Sequence, residues 1–117
     1  MTDADLLSVV RDFLLKRMPW DLSRPRFIEN QREHLREKAQ ADPMFPVRLR
    51  EVALETLQSD KPEIIRRGLT ALAFVGAEID LPAIERLKAH RHPAVSRDAG
   101  TCLFEIKKYR SGDIRLR

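Results

Sequence analysis

Two neighbouring histidines and one cysteine are the side chains of this 117-residue sequence most able to do chemistry. His90 and His92 stand two residues apart, which on a helix directs them to different faces, and Pro93 marks a helix end beside them. Zinc needs further ligands at suitable spacing, and the sequence offers none near this pair. Cys102 would act as a nucleophile only beside a base in an accessible, electropositive site, and no such Cys/His/Asn arrangement is present.

Other catalytic patterns are missing from the sequence as well. There is no glycine-rich phosphate loop, no GxSxG, no HExxH and no paired CxxC. Asp60 and Asp80 stand at predicted helix starts, where capping of the first turn explains them. Cys102 is expected in the core, and His34 is expected to be solvated on a charged helix. We therefore expect no catalytic residue, no metal and no cofactor.

The composition favours one helical domain with a modest core. Hydrophobic residues make up 43% and charged residues 34%, which excludes a disordered chain and a membrane protein. A single cysteine and an acidic N-terminus, unlike a signal peptide, favour a cytoplasmic location. Residues 61–117 hold 12 Lys and Arg against 7 Asp and Glu, so the basic excess lies in the C-terminal half. Arginine dominates the basic residues, which favours bidentate contacts with carboxylates or phosphates.

Hydrophobic periodicity predicts six helices and no strands. The predicted helices begin near residues 3, 25, 46, 62, 81 and 93, and the last ends near residue 109. Thr2 and Asp5 form a capping-box-like start, and Gly76 ends the fourth helix. The only tryptophan, Trp20, lies in the linker after the first helix and is expected to pack on the core more readily than to contact a partner.

The sequence also repeats itself. Residues 62–72 align with residues 93–103 at a shift of 31 without a gap, which pairs Arg66 with Arg97 and Gly68 with Ala99. The helices before these two segments match at a shift of 30. The repeated unit is a helix pair of about thirty residues, with small residues where helices approach closely.

This pattern resembles the short HEAT-like repeat of phycobilisome-lyase-type proteins over roughly residues 46–107. Apolar, Arg, Ala and Leu positions recur in 49–57 and 95–103, and residues 76–80 supply the turn. The resemblance implies an all-α, short right-handed α-α superhelix in one domain, with capping helices in 1–45, repeats in 46–108 and a frayed tail in 109–117. It also implies that Arg66 and Arg97 tie neighbouring repeats together through turn carboxylates. An ordinary helical bundle with accidental periodicity is the alternative.

In HEAT-like stacks the second helix of each pair lines the concave side, which here means the third and fifth helices. The polar residues left on those helices outside the core are Arg48, Glu51, Glu55 and Gln58, then Glu85, Arg86, Lys88 and His90. Without Gln58 and with the adjacent Arg91, these are the residues that we expect to contact a partner. The alternative is that these charged side chains are simply exposed to solvent and bind no ligand.

The functional expectation is a non-enzymatic protein-binding module, such as an adaptor, inhibitor or immunity-type protein, whose partner carries an acidic patch. The alternative is nucleic-acid binding through phosphate contacts by the basic C-terminal half. A bilin-lyase-like enzyme would rest on the repeat resemblance alone. No membrane partner is expected, and the oligomeric state stays open.

Overall fold

Six α-helices form most of the part of the protein that the computed structural model describes, namely residues 2–17 and 25–108, with side chains for 2–16 and 31–108. The helices are α1 (Asp3–Asp12), α2 (Pro25–Ala41), α3 (Phe45–Thr56), α4 (Pro62–Val75), α5 (Leu81–Glu85) and α6 (Pro93–Lys108). A π-helical turn, Phe13–Arg17, extends α1, and 3-10 turns, Glu78–Asp80 and Arg86–Ala89, flank α5. These residues contain no strand, so the predicted all-α class is confirmed, whereas the superhelical arrangement stays a prediction.

Several predicted features fall outside the described residues. Trp20 and the 109–117 tail belong to this group, as do the side chains of Phe27 and Ile28 on the predicted apolar stripe of α2. Among the described side chains of α2, Leu35 is buried as predicted. Within the described helices, none is long and apolar enough to cross a membrane.

The predicted start of α1 and the predicted end of α4 are confirmed. Thr2 Oγ1 accepts a hydrogen bond from the Asp5 N–H at 3.2 Å, and the Asp5 carboxylate accepts one from the Thr2 N–H at 3.3 Å. Gly76 is the C-cap of α4, and a Cβ at this position would lie 2.8 Å from Ile106 Cδ1. The glycine therefore allows the end of α4 to approach α6.

The predicted caps at Asp60 and Asp80 are wrong. The N-cap of α4 is Lys61, which makes no side-chain capping hydrogen bond, and Ser59 Oγ accepts from the Lys61 N–H. Asp80 is the N-cap residue of α5, but its carboxylate turns back to the Ala77 N–H at 2.8 Å and caps nothing in α5. For Asp80 the physical reason is a stronger, charge-assisted partner elsewhere in the fold.

The core is built around α4, which packs against α3 on one side and α6 on the other. Its residues from Leu69 to Phe74 are all buried, which fits a helix covered on several sides. The hydrophobic periodicity of α3 allows either Val47 or Leu49 in the core, and the structure buries Leu49 fully and leaves Val47 44% exposed. Cys102 is fully buried in the core, as predicted.

Helices α3 and α4 approach each other most closely at Gly68. A Cβ there would collide with Thr56 Oγ1 and would lie 2.9 Å from the Ala53 carbonyl oxygen. The Thr56 hydroxyl donates to that same carbonyl at 2.6 Å, so it is not free to move aside. Glycine is therefore required at this position by space.

Two buried carboxylates join helices that are distant in sequence. Arg50 donates from Nε and Nη2 to Asp80 at 2.7 and 2.6 Å, and Asp80 is only 4% exposed. Arg66 donates from Nε to the fully buried Asp98 at 2.7 Å. The hydrogen bonds that Arg50 donates to Asp80 raise the pKa of Arg50 above its usual value, so the contribution of the charged guanidinium group is present at neutral pH and declines as pH rises through the raised pKa.

The predicted contacts of the repeat arginines are therefore partly wrong. The turn carboxylate, Asp80, is bound by Arg50, whereas the partner of Arg66 lies on helix α6. Arg97 contacts its neighbour Asp98 at 3.3 Å and reaches no other carboxylate within the described residues. It does not tie α6 to a further helix there.

Gly68→Ala is expected to destabilise the fold by about 2 kcal/mol, because the added methyl group overpacks the α3–α4 contact. Gly100→Ala is the matched control, since a Cβ at Gly100 meets no atom within 4 Å. The control should stabilise α6 by about 0.5–1 kcal/mol. Urea unfolding followed by circular dichroism measures both, and equal effects of the two substitutions would contradict the close approach.

Arg50→Met is expected to cost about 3 kcal/mol, because it leaves the Asp80 carboxylate buried with the Ala77 N–H as its remaining partner. Asp80→Asn should cost less, about 1–2 kcal/mol, because the amide oxygen still accepts hydrogen bonds and Arg50 is 31% exposed to water. Equilibrium unfolding of both variants gives the order, and a reversed order would show that the pair is not held by burial of Asp80.

Candidate functional site

A groove of about 320 Å³ separates the C-terminal end of α3 from α5 and the 3-10 turn that follows it. The residues that line this α3–α5 groove are Leu54, Leu57, Gln58, Ala83, Arg86 and Leu87. The three leucines are partly buried against the core and form an apolar floor, while Gln58 and Arg86 are at the rim. The groove thus brings together the two helices that the sequence predicted to share a face.

The predicted contact residues on α3 are engaged with α1. Arg48 donates to Asp3 at 2.9 Å and to Glu51 at 2.8 Å, and its side chain is only 19% exposed. These two carboxylates, Glu51 first, raise the pKa of Arg48 above its usual value. Glu55 accepts from Arg11 at 3.0 Å. Arg48 and Glu55 therefore contribute to the contact between α1 and α3, whereas Glu51 is paired with Arg48 within α3. The part of all three residues in binding a partner stays a prediction.

The predicted contact residues on the α5 side are exposed and carry a net positive charge. Glu85 is paired with Lys88 at 3.4 Å, and both side chains are about half exposed. Arg86 and Arg91 are exposed, and neither forms an ion pair with any residue that the structure describes. Glu85 and Lys88 neutralise each other, so the net positive charge of this segment comes from the guanidinium groups of Arg86 and Arg91.

Local hydrogen bonds fix the turn that carries these residues. His90 Nδ1 accepts from the His92 N–H at 3.0 Å, so the two imidazoles belong to a tight polar turn. The Ser96 hydroxyl donates to the Lys88 carbonyl at 2.6 Å and ties the 3-10 turn to α6. Within the described part of the chain no group of three or more His, Cys, Asp or Glu residues is placed to hold a metal ion.

Two other hollows lie beside α1, and their charged residues are already engaged. One, of about 370 Å³, shares Gln58 with the α3–α5 groove, but its Arg11 is paired with Glu55. The other, of about 410 Å³, includes Lys38, whose ammonium lies 5.2 Å from the Phe13 ring centroid. His34, expected to be solvated, is exposed and also lies against that ring, at 5.7 Å.

Two exposed apolar side chains were missed by the sequence prediction. Phe104 on α6 is 61% exposed and Ile79, in the turn before α5, is 79% exposed. For Phe104 a signal was available, because it falls on the side of α6 opposite to the buried Val95, Cys102 and Ile106. The fully buried charge of Asp98 was missed too, since the local sequence does not reveal its partner Arg66.

Comparisons with protein-family models, with curated proteins and with solved structures find no match to this chain. The fold and the α3–α5 groove are therefore the observations from which function must be argued.

Arg48→Ala is expected to lower the melting temperature clearly, because it removes the bonds that join α3 to Asp3 of α1. Arg86→Ala, a change of the same type at an exposed arginine without an ion pair among the described residues, should leave the melting temperature almost unchanged. Differential scanning calorimetry measures both. An equal loss in the two variants would mean that Arg86 has a structural role and is not free for a partner.

Proposed function

We propose that this protein is a non-enzymatic binding module that docks an acidic segment of a partner protein in the α3–α5 groove. The observation that carries the proposal is the apolar floor of the groove with the exposed Arg86 at its rim, followed five residues later by the exposed Arg91. Neither arginine forms an ion pair among the described residues. An apolar side chain of the partner would pack on the leucines. Its carboxylates would then receive bidentate hydrogen bonds from the guanidinium groups.

The size of the groove supports a protein ligand. Its volume of about 320 Å³ lies at the low end of the range that encloses small-molecule ligands. Such a volume suits one or two side chains of a docked segment, and a buried anchor of this kind dominates the free energy of many protein interfaces.

The charges favour a protein over a nucleic acid. Phosphate binding draws on a continuous row of basic side chains. Here Arg48, Arg50 and Arg66 are engaged in internal ion pairs, and Arg86 is the one basic residue among those that line the groove. A phosphate backbone would therefore meet no continuous row of free basic side chains, whereas a protein segment can place single carboxylates at Arg86 and Arg91.

The HEAT-like superhelix and the cytoplasmic location are part of the same proposal. The thirty-residue repeat supports the former. The single cysteine, buried within α6, supports a reducing compartment. Adaptors, inhibitors and immunity-type proteins all act by such surface docking.

The double variant Arg86→Glu/Arg91→Glu is expected to lose the partner, because it replaces attraction by repulsion at both arginine positions. Lys16→Glu/Lys61→Glu makes the same change in net charge at exposed residues outside the groove and should keep the partner. Nuclease-treated purification from the source cells, followed by quantitative mass spectrometry, compares the two variants with the unmodified protein. We expect at least about a tenfold loss with the first variant only.

If both double variants lose the partner equally, binding depends on net charge alone. That result would contradict the proposal that the groove is the binding site. Recovery of material that disappears on nuclease treatment would instead support the nucleic-acid alternative. In that case oligonucleotide affinity should fall steeply between two salt concentrations.

A further inference from the structure

Two internal arginine–carboxylate pairs each span about one repeat length. Arg50 binds Asp80 thirty residues later, and Arg66 binds Asp98 thirty-two residues later. Each pair joins a helix to an element about one repeat unit further along the chain. The repeat aligns Arg66 with Arg97, so Arg97 is the position of the second copy that corresponds to Arg66.

Arg97 has no equivalent carboxylate among the described residues. Its side chain is 53% exposed, and its contacts to the adjacent Asp98 measure 3.3 and 3.4 Å. Arg66 reaches the same carboxylate at 2.7 Å, which is much closer. Because a guanidinium group has five donors in a fixed fork, Arg97 keeps the capacity to bind a second carboxylate from outside.

The surface around Arg97 has the shape and polarity of a helix-docking face. We call it the α6 outer face, defined by Arg97, Gly100, Thr101 and Phe104. Arg97 and Phe104 are seven residues apart, so they lie on the same side of α6 about 10 Å apart along its axis. Phe104 is 61% exposed, and the space above Gly100 is open, since a Cβ on this residue would meet no atom within 4 Å.

Inside the fold, a glycine and an arginine–carboxylate pair accompany helix packing at two different contacts. Gly68 lets α3 and α4 approach closely, and Arg66 joins α4 to Asp98 of α6. The α6 outer face presents a glycine with open space, an arginine whose one carboxylate contact among the described residues is the adjacent Asp98, and an exposed aromatic ring. A second helix packed on this face would bring both kinds of contact to one interface.

We infer that the α6 outer face is a second docking surface, on which a helix of a partner protein packs with a carboxylate opposite Arg97. An apolar residue of that helix covers Phe104, and its backbone approaches at Gly100. Lys107 and Lys108, both exposed, add positive charge at one end of the face and further favour an acidic helix.

Two other occupants fit the face less well. A second copy of this chain carries a formal net charge of +4 and would bring like charge to a basic face. A nucleobase would stack on the Phe104 ring, but the Lys108 ammonium already lies 6.0 Å from the ring centroid. A partner helix that carries a carboxylate contacts both the Phe104 ring and the positively charged side chains of this face.

The test places the photo-crosslinking analogue p-benzoylphenylalanine at position 104 of the full chain, with irradiation in the source cells. Mass spectrometry should locate the adduct on a helix of a partner protein, within about one turn of an Asp or Glu. Gly100→Leu should reduce the adduct at least about tenfold, because the larger side chain fills the open space above α6. Its melting temperature should not fall, since none of the described residues occupies that space.

A charge exchange then identifies the contact. Arg97→Glu should abolish the adduct, and replacement of the partner's acidic residue by Arg should restore it. An adduct on a second copy, on nucleic acid or on no macromolecule would overturn the inference, as would an unchanged yield with Gly100→Leu. Arg86→Glu/Arg91→Glu is expected to leave this adduct intact, so that failure at the α6 outer face and failure at the α3–α5 groove are distinguishable.

Discussion

Asp80 and Asp98 place carboxylates in the interior of a small helical protein, where a charge without a partner costs several kcal/mol. Each is met by an arginine from a different helix, and these arginines lie thirty or more positions earlier in the chain. The requirement to pair the two charges fixes how α3 faces the turn before α5 and how α4 faces α6. Apolar packing alone would tolerate small rotations of these helices, whereas a short, directed hydrogen bond does not.

The need to pair the buried carboxylates also determines which arginines remain available at the surface. Arg48, Arg50 and Arg66 are used inside the fold or between α1 and α3, so these three guanidinium groups add little free charge to the surface. A sequence-level count of basic residues therefore overstates how much of the basic excess faces solvent. The two faces proposed for partners differ in build, because one is a groove between helices and the other is the exposed side of a single helix.

The positions of the helices were largely predictable because short local sequence signals set where each helix begins and ends. Pro62 and Pro93 begin α4 and α6, Gly76 ends α4, and the apolar periodicity of each segment identifies its buried side. The capping of α4 and α5 was not predictable in the same way. Asp80 looks like a cap in its own segment, and only the fold brings Arg50 close enough to compete for it.

The candidate site was predictable as a pair of helices and not residue by residue. The repeat pattern predicted that α3 and α5 share a face, and residues of both helices line the groove, but of the predicted contact residues only Arg86 is among them. A shared partner-binding face stays a prediction. The engagement of Arg48 depends on Asp3, forty-five residues away, which no local pattern reveals. Arg86 and Arg91, in contrast, have no such distant partner among the described residues, so their exposure followed directly from their place in the sequence.

The shortness of α5 has a mechanical consequence for the α3–α5 groove. Five residues make little more than one helical turn, and the chain then continues in the tighter 3-10 geometry, whose hydrogen bonds are weaker. One wall of the groove is therefore held in place mainly by contacts with α6, such as that of Ser96 with the Lys88 carbonyl, while the other wall belongs to the twelve-residue α3. A rigid wall facing a compliant one would let the width of the opening adjust to the proposed partner segment, and part of the binding free energy would be spent on ordering the softer side.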